Sequence, residues 1–414
     1  MIDKKKNTIA IIGGGASGIV AAITAARLGS EVFILEKCSR IGKKILATGN
    51  GRCNFTNVNL DISKYHGKSP HFASYVLHKF NLKKTLTFFE ELGIKHKVEE
   101  GGKIFPYSGQ ASAILNVMLY EIERLKIRVE CNCAVTGIRK QAGLFEIETC
   151  NGRKFKADKV ILTTGGKASP SLGSDGSGYA LAQKFGHKII NPIPALVPLK
   201  LNFKHLKRLK GVKFNGEARI LSGEKIIQKE SGEILFTEYG ISGPPILSLS
   251  RRANEMLAGK SKVIISICLT PDIDEGELES HLKSRFKYGA HKGLSFSLTG
   301  FLKKQIAPVI LTESGIADIN RPASTLTYPE LRNLIRKLRD WRFEVTGSTS
   351  WPNAQVTAGG IDVKDVNEKT MESQLVPGLY FAGEILDIDG DCGGFNLQWA
   401  WSSGRQSGKS ASCK

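Results

Sequence analysis

Ile9 to Ile12 form a short unbroken apolar run, the pattern of a strand covered on both faces. A glycine cluster follows, then apolar and small residues at helical spacing over Ser17 to Leu28. A second apolar strand, Glu31 to Leu35, is closed by Glu36. Helical periodicity returns around 70–93 and 108–126, the second entered through Ser108-Gly109-Gln110. Residues 127–150 alternate and predict a small hairpin meander, and DKVILTTGG (158–166) predicts a buried parallel strand returning to the first sheet. At Asn191 the texture changes: NPIPALVPLKL has three prolines within seven residues, which favours an extended connector. Alternating segments with glycine turns then predict antiparallel strands to about residue 270. Helical spacing takes over at 274–286, 295–312 and 328–339, and WRFEVTG (341–347) leads back to VTAGGIDV and LYFAGEIL. The pattern predicts a discontinuous domain, 1–190 plus 347–414, around an inserted domain, 191–346. Within the insert, 191–272 and about 341–346 are β-rich and 273–340 mostly helical.

The glycines of the first turn each have a physical task. Gly13 makes the turn, Gly15 lets the backbone approach a pyrophosphate, and Gly18 lets helix and strand pack closely. Phosphates are favoured at a helix N-terminus, where N–H groups lack partners and the dipole is positive. Glu36, 18 residues past Gly18, stands where a carboxylate accepts ribose hydroxyls and repels a 2′-phosphate. Strand, turn, helix, strand and acid together read as a dinucleotide site. A secretory leader, suggested by Lys4 to Lys6 ahead of an apolar stretch, fits poorly with five glycines within 13–29.

Hydrophobic content of 41% and charged content of 24% are those of a globular chain, and no run of ~18 apolar residues predicts a membrane span. The eight cysteines are scattered, with only Cys131 and Cys133 close, so free thiols in a reducing cytoplasm are expected and no metal site. The unusual number is the net charge of +20, densest from Lys200 to Lys213, where six Lys and Arg alternate with apolar residues. No nucleic-acid signature accompanies that block. A solvated basic face is the expectation, with RNA the alternative. Oligomeric state is left open.

The stretches GGGASGIVAA, GKKILATGNGRCNFTN, GGKASPSLGSDGSGYALA, GISGPPIL, VTAGGI and LYFAGEILDIDGDCGGFNLQWAWSSG resemble the YhiN/BaiN-like flavoproteins. These are bacterial FAD-binding oxidoreductases that include aminoacetone oxidase-like members. The resemblance covers residues 9 to 404. It implies an α/β fold: a Rossmann-type, glutathione-reductase-like FAD-binding domain interrupted by a β-barrel-like domain with a helical subdomain. It also implies roles by position. Gly13, Gly15, Ala16, Ser17 and Gly18 would cradle the pyrophosphate, with Glu36 on the ribose and Lys37, Lys43 and Thr48 nearby. Asn50, Gly51, Arg52, Cys53 and Asn54 would run along the flavin or ribityl side, with Arg52 equally readable as an anchor. Ala134 and Val135 would lie at the adenine, and Thr164, Gly165 and Gly166 beside pyrophosphate and ribose. Gly383 and Glu384 would reach phosphate and ribityl chain. Asn396, Leu397 and Gln398 would open a helix aimed at flavin N1 and O2, favouring negative charge there.

No second GxGxxG lies between 190 and 345, so NAD(P)H would visit the flavin without a domain of its own, or another donor reduces it. SDGSGYALAQKFG (174–186) is similar to the glycine-rich segment of fumarate-reductase and ketosteroid-dehydrogenase flavoproteins, which move hydride between flavin and carbon. The leading expectation is NAD(P)H-linked hydride transfer to an unsaturated small organic or bile-acid-like substrate. The alternatives are an amine oxidase using oxygen and an RNA-associated flavoprotein. The catalytic group is open, with Arg52 and Tyr239 as proton-donor candidates.

Overall fold

The computed structural model describes residues 7–413, so Lys4 to Lys6 lie outside the described residues. The chain divides into two compact units: everything up to Pro194 together with Ala354 onward, and Ala195–Asn353.

The first unit is built on five parallel strands in the order Leu379–Phe381, Lys159–Leu162, Thr8–Ile12, Glu31–Leu35, Arg128–Glu130. Their apolar runs follow from burial on both faces. Ile9, Ile11, Val32 and Ile34 join one core, while Ala10, Ile12, Phe33 and Leu35 join the other, the period of two that a pleated strand imposes. Arg128–Glu130 corrects the expected meander: it is an edge of this parallel sheet. The antiparallel strands are Val135–Gln141, Leu144–Thr149 and Lys154–Ala157.

Helices Ala16–Arg27 and Phe395–Ser412 pack backbone to backbone. Gly404 and Gly408 make this possible, four residues apart on one helical face. A Cβ on Gly404 would stand 2.4 Å from the Ser17 carbonyl oxygen, and one on Gly408 2.4 Å from that of Ala21. Trp399 and Trp401 are buried beside this contact, donating from Nε1 to the carbonyls of Gly383 (3.1 Å) and Phe55 (2.9 Å).

The second unit is a closed six-stranded barrel whose strands run Leu199–Asn202, Gly240–Ser242, Lys225–Phe236, Lys213–Ser222, Val263–Cys268, Trp341–Ser348 around the ring. Closure leaves no open sheet edge. Helices Glu275–Tyr288 and Tyr328–Arg339 cover it. The second is started by a capping box of Thr327 and Glu330 and buries Leu331, Leu334, Ile335 and Leu338. The 15-residue helix Pro244–Ala258 falls where strands were expected. Gly243 at a φ of 106° followed by Pro244 is a helix-start signal, and Ile246, Leu249 and Ala253 then supply a helical stripe that joins the barrel core.

Candidate FAD and active site

Three of the four glycines in the first turn are demanded by the protein's own packing. A Cβ on Gly13 (φ 106°) would lie 2.7 Å from the Thr163 carbonyl oxygen, one on Gly14 2.2 Å from Ile41 Cγ2, and one on Gly18 2.0 Å from the Gly13 carbonyl oxygen. Gly15 differs: nothing stands within 4 Å of where its Cβ would be. It also N-caps helix Ala16–Arg27 without a side-chain cap or an acid in the first turn. Helix geometry leaves the N–H groups of Ala16, Ser17 and Gly18 without an intrahelical acceptor. An open, uncapped, positive helix end is an anion cradle.

Glu36 is buried and shapes that turn. One carboxylate oxygen accepts from the Gly14 N–H (2.7 Å) and the other from the Cys38 N–H (2.7 Å). Each retains lone pairs for a hydroxyl. The Cys133 N–H donates to the Glu36 carbonyl, so Ala134 and Val135 follow directly alongside. Burial, and after it the Glu36 charge, pushes the thiols of Cys38 and Cys131 up. Lys37 pairs with Asp175, and Lys43 reaches the Ser171 carbonyl at 3.4 Å, so both hold the 170–177 loop.

Around Gly165 the hydroxyls of Thr164 and Ser174 are buried with no hydrogen-bond partner among the described residues. Unbonded buried hydroxyls are costly unless a ligand completes them. Space there is kept by glycine: a Cβ on Gly178 would stand 1.9 Å from Thr164 Oγ1, and one on Gly165 2.9 Å from Ser174 Oγ. Gly383 lies at the start of the first helix, where a Cβ would be 2.5 Å from Ser17 Oγ. Glu384 accepts from the Thr357 N–H (3.0 Å) and from Lys44 Nζ (2.7 Å). Thr357 Oγ1 in turn accepts from the N–H groups of Lys167 (2.7 Å) and Ala168 (3.0 Å). Lys44, Thr357 and Ser174 are site residues that sequence reasoning missed. All three lie in stretches the resemblance rests on, but their roles arise from contacts far apart in the chain.

The GNGRCN loop carries left-handed residues at Gly49, Asn50, Gly51 and Cys53. Thr48 stabilises it, its hydroxyl donating to the Ile45 carbonyl at 2.6 Å. Asn50 and Gly51 are exposed. Cys53 is a correction: its side chain is fully buried in the core, and burial pushes the thiol up to about 12. Arg52 is drawn as an anchor, paired with Glu99 and lying 4.2 Å over the Phe105 ring. Asn54 Oδ1 accepts from the Ile104 N–H at 3.2 Å.

The last helix begins at Gly394 (φ 99°), where a Cβ would stand 2.5 Å from the Thr56 carbonyl oxygen. Two polar side chains of this turn bond to the protein itself. The buried amide of Gln398 donates within hydrogen-bond distance of the Phe80 carbonyl, Thr85 and Ser402, and accepts from Thr56. The Asn396 amide closes on both backbone groups of Gly390 (2.7 and 2.8 Å). These side chains fix the turn, so what the helix offers a ligand is main chain: the N–H groups of Phe395, Asn396 and Leu397. Nearby, His66 lies 2.6 Å from Asp391, on a strand pair that sequence reasoning did not single out. Tyr239 belongs to the other unit and is partly exposed.

The unbonded hydroxyls, the open Gly15 and the uncapped helix ends fit a dinucleotide. Comparison with known proteins agrees. The family model described as HI0933-like protein Rossmann domain matches residues 7–410. A 3-dehydro-bile acid delta(4,6)-reductase of Clostridium scindens is 41% identical over 407 residues, 98% of this chain and 99% of its own. A ribosomal RNA dihydrouridine synthase of Escherichia coli is 31% identical over 401 residues, 95% of each chain. Among solved structures, 3-ketosteroid delta1-dehydrogenase from Sterolibacterium denitrificans aligns with a TM-score of 0.50 at 10% identity, over 98% of this chain and 100% of its own. Quinol fumarate reductase of E. coli aligns with a TM-score of 0.51 at 14% identity, over 99% of this chain and 70% of its own. Both show the fold. The chain belongs to the HI0933-like family. It is a flavin-dependent oxidoreductase with a Rossmann-type FAD-binding domain, and its cofactor is FAD.

Proposed function

We propose that this member of the HI0933-like family saturates a carbon–carbon double bond conjugated to a carbonyl, drawing electrons from NADH or NADPH. What supports this most is that the two relatives' activities are one kind of reaction. A 4,6-dien-3-one and the uracil ring of uridine each carry such a bond. Such a bond is reduced by hydride at the carbon β to the carbonyl, or at the δ carbon of the dienone's outer double bond, with a proton delivered to the carbon next to the hydride acceptor. FAD, when bound, supplies hydride transfer. The chain's own residues would bind and orient it. Gly15 and the N–H groups of Ala16 to Gly18 would hold the diphosphate, Glu36 the ribose, and Thr164 and Ser174 a further polar edge. The start of the last helix would set partial positive charge where negative charge develops.

Two substrate classes fit, each favoured by one observation. The 41% identity favours a bile-acid-like dienone. The net charge of +20 favours uracil within RNA, since a polyanion rewards a cationic surface more than a single carboxylate does.

The test is anaerobic mixing of the purified yellow protein with NADH or NADPH, followed at the flavin band near roughly 450 nm. Bleaching by either, followed by reoxidation with a dienone bile acid or with RNA from a strain lacking the gene, supports the reading and selects the substrate. Dihydrouridine is read by nucleoside mass spectrometry, the dienone by loss of its ultraviolet band. No bleaching by either nucleotide, with bleaching by an amine such as aminoacetone, replaces it with an oxidase.

A further inference from the structure

Three of the six cations in the basic block that stands out in the sequence are matched by acids. Lys210 pairs with Glu238 (2.6 Å), Lys213 with Glu233 (3.1 Å), and Lys204 with Glu313 (3.7 Å). A second basic region is matched less, with only Lys283 of its six cations paired to a carboxylate among the described residues. Between Glu279 and Glu313 the chain has no Asp or Glu, and it carries Lys283, Arg285, Lys287, Lys292, Lys303 and Lys304. Lys287, Lys292, Lys303 and Lys304 are exposed, and none has a carboxylate within ion-pair distance among the described residues. Tyr288 is 84% exposed, more than any other large apolar side chain described, and Phe296 is 65% exposed.

This region is built, not loose. Arg285 donates from Nε to the Ser297 carbonyl (2.5 Å) and also reaches the Thr299 carbonyl. The rings of His281 and Phe301 lie 5.0 Å apart. The N–H groups of Leu294 and Ser295 donate to the carbonyls of Arg321 and Ile319. A Cβ on Gly289 would stand 3.5 Å from Ser297 Oγ, so the chain neighbours of the two exposed rings adjoin. The nearby acids are occupied: Glu279 by Lys283 and Arg332, Glu330 by Arg321, and Asp318 by the Asn320 N–H.

We infer that this corner of the Ala195–Asn353 unit, residues 281–305, is a binding face for single-stranded RNA, an inference that rests on the RNA arm of the proposed function. Unpaired lysines would neutralise phosphates, and exposed rings beside them are stacking platforms for bases. A membrane-inserting face would instead need a contiguous apolar surface beside the cations. Here Leu294, Leu298 and Ile306 are buried, leaving two rings among cations.

The test is fluorescence anisotropy of a labelled single-stranded oligouridylate titrated with the FAD-loaded full-length protein across a salt series. Binding should weaken steeply with salt. The Tyr288→Ala/Phe296→Ala double variant should bind about tenfold or more weakly. Lys287→Glu/Lys292→Glu should weaken binding and flatten the salt slope by roughly one unit for each phosphate no longer neutralised. Lys210→Glu, at a lysine already paired with Glu238, should change binding little. Flavin content and bleaching by NAD(P)H should be unchanged in all variants, which shows that they fold. Wild-type affinity in both double variants, or no binding by the native protein at low salt, overturns the inference. So does retention on anionic vesicles, abolished in the same variants, without RNA binding. If RNA binding depends on this face but no RNA is reduced, the face stands and the reaction assignment falls.

Discussion

Gly15 and Gly18 are three residues apart in one turn, yet the structure gives them opposite sensitivities. The backbone at Gly15 (φ −81°, ψ −166°) is one that any residue adopts, and a side chain there meets no protein atom. Gly15→Val should therefore leave the apoprotein's stability within about 1 kcal/mol of wild type, loss of capping preference being offset by a stiffer unfolded chain. It would, however, fill the space through which a diphosphate approaches the N–H groups of Ala16 to Gly18. Losing two charge-assisted hydrogen bonds at about 1.5–3 kcal/mol each weakens FAD binding by roughly 10²- to 10⁴-fold. Gly18→Ala sets a methyl 2.0 Å from the Gly13 carbonyl oxygen and 2.7 Å from Thr163 Oγ1. Helix and strand must then separate, at a cost of about 1–3 kcal/mol in the apoprotein itself. The assay is thermal unfolding of both apoproteins beside FAD titration by fluorescence quenching. A Gly15→Val protein that binds FAD like wild type refutes the site. One that unfolds as early as Gly18→Ala shows that Gly15 is needed for packing instead.

Three further perturbations follow from the same geometry. Glu36→Gln puts an amide donor against one of two N–H donors, so apoprotein stability should fall by about 1–3 kcal/mol. With the carboxylate gone, Cys38 should also alkylate faster with iodoacetamide at a given pH; an unchanged rate would remove Glu36 as a cause of its raised pKa. Cys53 should resist iodoacetamide in the native protein at about pH 9 and react on unfolding, and native labelling would contradict its burial. Burial holds His187 below the usual imidazole range, with Nε2 2.8 Å from Ser373 Oγ. Since the folded pKa is depressed, the unfolded chain takes up the proton first. Stability is full above about pH 6.5 and declines below it. A His187→Gln variant should flatten that acid-side decline in the thermal midpoint, and an identical pH profile would sink the argument.

Much of the first unit was legible because its strands obey one simple condition. Burial on both faces demands unbroken apolar runs, and Ile9–Ile12, Val32–Leu35 and Val160–Leu162 show them. Where the controlling contact is remote, the reading failed. Arg128–Glu130 is too short to declare whether it pairs with Glu31–Leu35 or with the following hairpin. Pro244–Ala258 was hidden because Gly-Pro-Pro reads first as a turn, and only the barrel interior makes its stripe useful. The +20 charge misdirected attention for a similar reason. Half of the densest run of cations lies opposite acids brought from elsewhere in the chain, while Lys287, Lys292, Lys303 and Lys304, without such partners among the described residues, are spread over a helix end and loops.

The candidate site carries the same lesson at the level of single side chains. Polar residues in GNGRCN and GGFNLQWA invite assignment as ligands of the cofactor. Gln398, Asn396, Asn54 and Arg52 instead bond to protein, and Cys53 lies in the core. What Asn396 and Gln398 hold in place is main chain, the uncapped start of the last helix, while the glycines themselves keep the space beside Gly15, Gly165 and Gly178. A ligand bound chiefly by main-chain N–H groups needs glycines for access and buried amides for rigidity. Both requirements leave a strong imprint on sequence without any side chain touching the ligand. Substitutions at Gln398 should accordingly act by loosening the helix start, lowering apoprotein stability along with FAD affinity. Substitution at Gly15 should lower affinity alone.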